Sequence, residues 1–475
     1  MNKFAAAVKW QIPKSRMSKR KETKSLILVR VFTLAGMLLT LGLPGYSLSP
    51  GGFDNGPMDK GRTLRVNSKR IEQRIIELAQ FGGTPEGGVQ RLAYSEADMR
   101  ARKYIMSLMQ EAGMKVHIDA PGNIIGRREG RNPGFPVLST GSHIDTVPQG
   151  GKYDGAFGVI AAIECVQVLH ENNILTDHPL EVVVFTNEEL GLTGSSSMIE
   201  KMPAEALQAI TRSGKTLQQG ILDLGGDPEK LSEAIRHQGD IESFIETHIE
   251  QGGSLDSDKT DIGVVQGIVG QHWWEITIEG AANHAGTTPM DRRQDALLTA
   301  AHLIIAINRS LTGVPGRQVG TVGRIKAEPD AVNVIPGRVT MSLEIRDLEE
   351  EKIDAIFEEI EREAAAIEQK FSTKISFSVG GISTPVPLDK RMIEIISQSA
   401  AELGYSYTLM PSGANHDAKL IAGIAPTGMI FVPSVGGISH SPKEFTRPED
   451  MAKGANVLLQ SMLKIDHGAL GSAQK

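Results

Sequence analysis

Five short stretches combine residue types that can hold a divalent cation and move a proton. They are Gly141-Ser142-His143-Ile144-Asp145, Tyr153-Asp154-Gly155, Asn187-Glu188-Glu189, Thr247-His248-Ile249-Glu250-Gln251-Gly252 and Gly437-Ile438-Ser439-His440. Three His, one Asp and one Glu make a nitrogen and oxygen donor set without thiolate, which suits Zn²⁺, Mn²⁺ or Co²⁺. Two ions need about three protein ligands each, with one shared. Asp154 can be shared because a carboxylate carries two oxygens. His143 and Glu189 would then serve one ion, and His248 and His440 the other. Such a pair clamps a water and lowers its pKa. Glu188, next to Glu189, is placed to take a proton from that water and pass it to a leaving nitrogen. Asp145, two residues past His143, is placed to hold the second imidazole nitrogen. Taken singly, each stretch has a plainer explanation. One of twelve histidines can be a solvated loop residue. An Asp-Gly pair is usually a turn, and an acidic pair is often a helix N-terminus. Their joint occurrence points to a metal-dependent hydrolase.

The elements around these stretches must position them. Pro136–Thr140 is an apolar strand running into His143, and Leu180–Thr186 is another running into Glu188-Glu189. The mostly apolar helix Ala156–Leu169 lies between them. Earlier, helices are expected from Val66 and over Glu96–Ala112, then strands at Lys115–Ile118 and Asn123–Arg127. Strands apolar on both faces, alternating with helices, predict a buried, largely parallel sheet. Ligands collect beyond the carboxyl ends of such strands. The middle of the chain differs. Trp273–Glu279, Gln294–Arg309, Val319–Ile325, Thr340–Arg346, Leu348–Gln369 and Lys374–Val379 read β-α-β-β-α-β, the ferredoxin-like order. Trp273 and Trp274 must face opposite sides of their strand, so at least one is core. A helix near Lys390–Leu403, the strand Thr427–Val432 and a helix near Pro448–Leu463 complete the pattern. The fold class is therefore α/β, a mixed and largely parallel sheet flanked by helices, with an inserted α+β domain. The expected bounds are 1–64 for a leader and linker, 65–262 and 381–470 for the metal-binding domain, and 263–380 for the insertion.

A length of 475 residues allows two or three domains at roughly 150 residues each. With 40% hydrophobic and 23% charged residues, wholesale disorder is excluded. One cysteine, Cys165, excludes an internal disulfide framework. A net charge of −7 argues against a protein that coats nucleic acid. Residues 1–49 hold nine Lys/Arg and one acid, so they carry +8 and leave −15 for the rest. This basic run precedes the apolar Val31–Leu43 and the small residues around Gly45–Ser49, the layout of a secretory signal. Arg30 interrupts it. Export or membrane tethering is the expectation, with a cytoplasmic protein if Met17 or Met58 is the true start. No other stretch is expected to span a membrane.

Longer motifs carry a resemblance. Gly141-Ser142-His143-Ile144-Asp145-Thr146-Val147-Pro148 and Gly151-Lys152-Tyr153-Asp154-Gly155 resemble the metal-binding segment of the di-metal aminoacylase/carboxypeptidase superfamily. Thr247–Gly252, Asn283-His284-Ala285-Gly286-Thr287-Thr288-Pro289-Met290 and Gly436-Gly437-Ile438-Ser439-His440-Ser441-Pro442 resemble its hydantoinase/carbamoylase subgroup. That subgroup contains N-carbamoyl-L-amino-acid hydrolases, allantoate and ureidoglycolate amidohydrolases and β-ureidopropionases. The similarity runs from about Val66 to about Leu463. It implies a di-zinc exopeptidase-like catalytic domain whose insertion serves as lid and dimerisation domain. It also implies two divalent ions (Zn²⁺ or Mn²⁺, with Co²⁺ as an option) on His143, Asp154, Glu189, His248 and His440, with Asp154 bridging. Glu188 would be the general acid/base. His284, from the partner subunit of a homodimer, would stabilise the oxyanion. Gln251 would lie against the substrate, Asn333 and Arg346 would hold its carboxylate, and Asn415 and His416 would line the pocket.

The expected activity is hydrolysis of the ureido C–N bond of an N-carbamoyl-L-amino acid, releasing amino acid, CO₂ and ammonia. Three alternatives stand beside it: an allantoate or ureidoglycolate amidohydrolase, an exported dipeptidase or N-acyl-amino-acid hydrolase, and a non-catalytic metal-binding scaffold. Two local departures bear on them. The loop after Glu189 runs Leu190-Gly191-Leu192-Thr193-Gly194-Ser195, shorter than the subgroup usually carries. Asn415 stands where carbamoylase types commonly have Gly.

Overall fold

The structure is a computed structural model and describes residues 64–471. The expected leader, its signal-like run and the linker up to residue 63 lie outside the described residues.

A nine-stranded mixed sheet organises most of the chain. Its order is Lys115–Ile118, Ile124–Arg128, Leu180–Phe185, Val137–His143, Ile241–Ile249, Thr427–Val432 and Ile262–Ile268. Val386–Pro387 and Tyr407–Ser412 both pair with Ile262–Ile268. The four strands from Leu180–Phe185 to Thr427–Val432 are mutually parallel. They are buried on both faces, which is why Leu180–Phe185 and Thr427–Val432 read as almost wholly apolar runs. Along Leu180–Phe185, Val182 and Val184 pack toward one core with Phe157, Ile163 and Leu458. Val183 and Phe185 pack toward the other with Phe244 and Phe431. Helix Ala156–Glu171 is buried at every position from Ala156 to Leu169. Helices Ser68–Ala79 and Pro448–Asp466 cover it, which explains its lack of a polar face.

The second sheet is antiparallel, in the order Ile325–Glu328, Arg338–Asp347, Gly270–Glu279, Lys374–Ser383, with Val319–Thr321 also on Arg338–Asp347. Helices Ala296–Thr312 and Glu350–Phe371 supply the apolar residues that close its core. Counting strands within this unit, the spatial order is fourth, first, third, second, as a ferredoxin-like fold requires. The expected strand Val319–Ile325 is instead two pieces broken at residues 322–324. Trp274 is 6% exposed and stacks on Phe357 at 4.0 Å, while Trp273 is 37% exposed, as strand alternation demands. The chain enters this sheet through Val269 and leaves it after Ser383. No helix among the described residues is long and apolar enough to cross a membrane.

Candidate active site

The parallel strands deliver the chemistry-bearing residues to one rim. His143 ends strand Val137–His143, and His248 is the penultimate residue of the neighbouring Ile241–Ile249. Glu188 and Glu189 follow Leu180–Phe185 by three and four residues. Asp154 precedes helix Ala156–Glu171, whose cap Gly155 has φ 62. A Cβ on Gly155 would meet the His143 ring at 2.4 Å, so glycine is required there. His440 comes from the loop after Thr427–Val432.

Asp154 sits at the centre. Its Oδ1 lies 3.1 Å from His248 Nε2 and 3.7 Å from His143 Nε2, and its Oδ2 lies 3.1 Å from His440 Nε2. Glu189 Oε2 is 3.6 Å from His440 Nε2. Asp154 is common to two groups of potential ligands, His143–Asp154–His248 and Asp154–Glu189–His440, while Glu246, His248 and His416 form a third group without it. This corrects the pairing expected from the sequence, which joined His143 to Glu189 and His248 to His440. His143 and His248 end adjacent strands and face each other at 5.9 Å between ring centroids. That leaves Glu189 to the opposite oxygen.

The imidazoles are held by backbone. His143 Nδ1 pairs with the Asp145 carbonyl at 3.0 Å and His248 Nδ1 with the Ile249 carbonyl at 2.9 Å. Both rings therefore turn Nε2 inward, the orientation a metal ligand needs. Asp145 does hold His143, but through its carbonyl; its carboxylate stands 3.7 Å away. That carboxylate accepts instead from the Glu188 and Glu189 amides at 3.2 and 3.3 Å. It fixes the two glutamates rather than the histidine.

The cluster is rich in negative charge. Burial first, then the charges of Asp417 and Glu189, push the Glu188 carboxyl well above its usual range. Burial and Asp154 push Glu189 up to about 8. The bond to Asp154 lifts His440 to about 9, while burial lowers His143 to about 4 and keeps it neutral. Buried carboxylates short of positive charge, beside inward-facing imidazole nitrogens, fit a pair of divalent cations.

Other expected residues fall in distinct places. Gln251 donates from Nε2 to Asp154 Oδ2 at 2.8 Å, and its buried Oε1 has no partner among the described residues. His416 is buried against His248, ring centroids 4.5 Å apart, and its Nε2 has no hydrogen-bond partner among the described residues. Its neighbour Asn415 is exposed. His284 and Asn333 lie together beyond the second sheet, where strand Asn283–His284 pairs with Val334–Ile335 and the Ala285 amide donates to the Asn333 carbonyl at 2.9 Å. His284 Nδ1 accepts from the Gly286 and Thr287 amides at 3.0 and 3.2 Å, which leaves the proton on Nε2. Among the described residues neither His284 nor Asn333 bonds to the histidine–carboxylate cluster. Arg346 pairs with Glu344 at 2.5 Å and donates to the Gly413 carbonyl at 2.7 Å. Asp347 turns away to Lys352.

Two buried acids escape a motif-based search. Glu444, four residues past His440, accepts from the Tyr153 and Asp154 amides at 2.9 and 3.1 Å and from Ser439 Oγ at 2.9 Å. Glu246 accepts from Ser142 Oγ at 2.7 Å and the Ala418 amide at 2.9 Å, tying the His143 strand to the His416 loop. Glu444 sits in a loop without periodicity. For Glu246, the two-residue step to His248 is the sole hint. Glu444→Ala would orphan buried donors at about 1–3 kcal/mol each. The expected result is a lower melting temperature and weaker metal retention, with Glu444→Gln milder. Calorimetry and elemental analysis check this, and wild-type metal retention in Glu444→Ala would refute it.

Comparison with known proteins finds relatives over most of the chain. The model for peptidase family M20/M25/M40 matches residues 140–464. The N-carbamoyl-L-amino acid amidohydrolase of Geobacillus stearothermophilus is 40% identical over 408 residues, 85% of this chain and 100% of that protein. The ureidoglycolate hydrolase of Arabidopsis thaliana is 36% identical, covering 89% of this chain and 91% of its own length. The allantoate amidohydrolase of Bacillus subtilis is also 36% identical, over 86% of this chain and 100% of its own. A hydantoinase/carbamoylase family amidase from Burkholderia multivorans superposes with a TM-score of 0.80 at 35% identity, over 85% of this chain and 98% of that one.

Proposed function

The chain belongs to peptidase family M20/M25/M40 and to its hydantoinase/carbamoylase group, and from that premise we propose that it hydrolyses N-carbamoyl-L-amino acids. The observation that carries this is Asp154, shared between two ligand groups, with the Glu188 carboxyl 3.6 Å from His143 Nε2 on the same rim. His143, Asp154 and His248 would hold one divalent ion, and Asp154, Glu189 and His440 a second. When bound, these ions supply Lewis acidity and make water a nucleophile near neutral pH.

The protein's own groups do the rest. Glu188 takes a proton from the attacking water as the new C–O bond forms at the carbamoyl carbon. It returns that proton to the amino-acid nitrogen as the C–N bond breaks, and the released carbamate decays to CO₂ and ammonia. Burial and the neighbouring carboxylates raise the pKa of Glu188, the direction that makes a carboxylate a stronger base. His284, with Nδ1 capped by two amides, offers Nε2–H to the developing oxyanion. Asn333 and the Arg346 guanidinium receive the substrate carboxylate, and Gln251 faces the bound ureido group.

We infer a homodimer in which His284 completes the partner's site. Its exposure and its lack of any bond to the cluster support this. So do the exposed Leu298 and Ile305 on helix Ala296–Thr312 and Val319 on the adjoining strand. Light scattering should give twice the chain mass. A monomer with full activity would sink the shared-site assignment.

An ammonia-release screen tests the substrate class. It sets N-carbamoyl-L- and D-amino acids against allantoate, ureidoglycolate and dipeptides, on Mn²⁺- or Zn²⁺-loaded protein. Allantoate and ureidoglycolate are the second reading, because relatives of similar identity carry those names. Cleavage of dipeptides alone would overturn both. Arg346→Ala should raise KM for carboxylate substrates roughly 30-fold or more, the low end for truncating one member of a charged pair. An unchanged KM would leave Arg346 its bonds to Glu344 and Gly413 and no part in substrate binding.

A further inference from the structure

The segment 413–419 is strapped from both sheets. Arg346, in the small sheet, donates to the Gly413 carbonyl at 2.7 Å. Lys419, on the short helix Ala418–Ile421, donates from Nζ to Asn415 Oδ1 at 3.1 Å, Ser383 Oγ at 2.8 Å and the Val269 carbonyl at 3.4 Å. Val269 and Ser383 mark the two passages of the chain between sheets. Three neutral acceptors thus take all three ammonium protons. Among the described residues no carboxylate pairs with Lys419. Burial and the nearby Arg346 charge lower its pKa to about 8.

An ammonium only donates, so the Asn415 atom that faces it must be the amide oxygen. The planar carboxamide then turns Nδ2, with its two N–H groups, away from Lys419. Asn415 is exposed, and its Nδ2 has no partner among the described residues. The next residue, His416, packs on His248. Gly413, two residues before, carries the Arg346 strap.

We propose that Lys419 is a positioning residue that locks the Asn415 carboxamide with its N–H groups toward the substrate, so that the site selects the carboxylate also received by Arg346. The inference rests on the ureido-carboxylate function proposed above. A reversed amide would set oxygen against that carboxylate. The locked amide makes the free acid the preferred substrate over the corresponding primary amide or ester.

The test is a double-mutant cycle on the metal-loaded enzyme with N-carbamoyl-L-alanine and its primary amide. Lys419→Met should raise KM for the acid roughly tenfold, the scale of one hydrogen bond to a charged group, with kcat within about twofold. Asn415→Gly should do the same, and the double variant should be no worse than Asn415→Gly alone. Discrimination between acid and amide should shrink in all three. The proposal is overturned if Lys419→Met still raises KM in the Asn415→Gly background, or if its loss falls on kcat alone. Should Lys419→Met fail to fold, Asn415→Asp carries the test. It presents only acceptors, so an unchanged KM for the acid would refute the donor role. Wild-type enzyme that cleaves only dipeptides would sink the proposed function instead. The same KM comparison on the dipeptide carboxylate would then decide the role of Asn415.

Discussion

Glu188→Gln should lower kcat by roughly 10²–10⁴-fold while metal content and oligomeric state stay at wild-type levels. The amide has the shape of the acid but cannot take a proton from water. Glu188 lies 3.6 Å from His143 Nε2 with its side chain only 9% exposed and its backbone amide fixed by the Asp145 carboxylate. Neither oxygen is consumed by a hydrogen bond to another side chain among the described residues, so the carboxyl is free to exchange a proton. Burial and like charges keep its pKa high. A group held that way would be a poor structural ion-pair partner and a good proton shuttle. The measurement is kcat for ammonia release at matched metal load, with ions counted by elemental analysis. Turnover within about threefold of wild type would remove Glu188 from the proton-transfer role. Loss of metal together with turnover would make it a ligand instead. The same comparison separates an enzyme from a metal-binding scaffold, which has no need of this carboxyl.

Asp154→Ala should abolish activity and retention of both ions, because Asp154 joins the His143–His248 group to the Glu189–His440 group. Glu189→Ala removes a group from one set only and should leave about one ion per chain. Elemental analysis after dialysis distinguishes these. Equal loss in the two variants would show that the sites are not separable in the way the geometry divides them. Near-wild-type metal content in Asp154→Ala would remove the bridge altogether. The contrast follows from the two oxygens. Oδ1 faces His248 and His143, while Oδ2 faces His440. Ser439 Oγ and Gln251 Nε2 also reach Oδ2, at 3.2 and 2.8 Å, so its direction is set from several sides.

Much of this was legible from residue type and spacing. A long apolar strand with a polar terminus announces its own direction and where its last side chain emerges. Pro136–Thr140 leading to His143, and Leu180–Thr186 leading to Glu188-Glu189, are of that kind. The β-α-β-β-α-β order of the insertion was equally plain, because alternation and helical periodicity change sharply between its elements. Strand Ile241–Ile249 was harder, since Glu246, Thr247 and His248 break its apolar run although all three are buried. The leader lies outside the described residues, so its reading stays with the sequence.

By itself, then, the sequence determined the donor types, the strand ends that carry them, the α/β class with its inserted unit, and the family. Only the tertiary structure decided which ligands share an oxygen of Asp154, that Asp145 holds the imidazole by its carbonyl and the glutamates by its carboxylate, and that Glu444 and Glu246 brace the cluster. It also joined Lys419, four residues past Asn415, to Val269 and Ser383 at the passages between the two sheets. The reason is physical. Local pattern fixes a residue's face and the end of its strand, whereas partners are set by the lateral order of strands. Here Leu180–Phe185, Val137–His143, Ile241–Ile249 and Thr427–Val432 lie side by side out of chain order. That order comes from burying both faces of one sheet, a property no single segment carries.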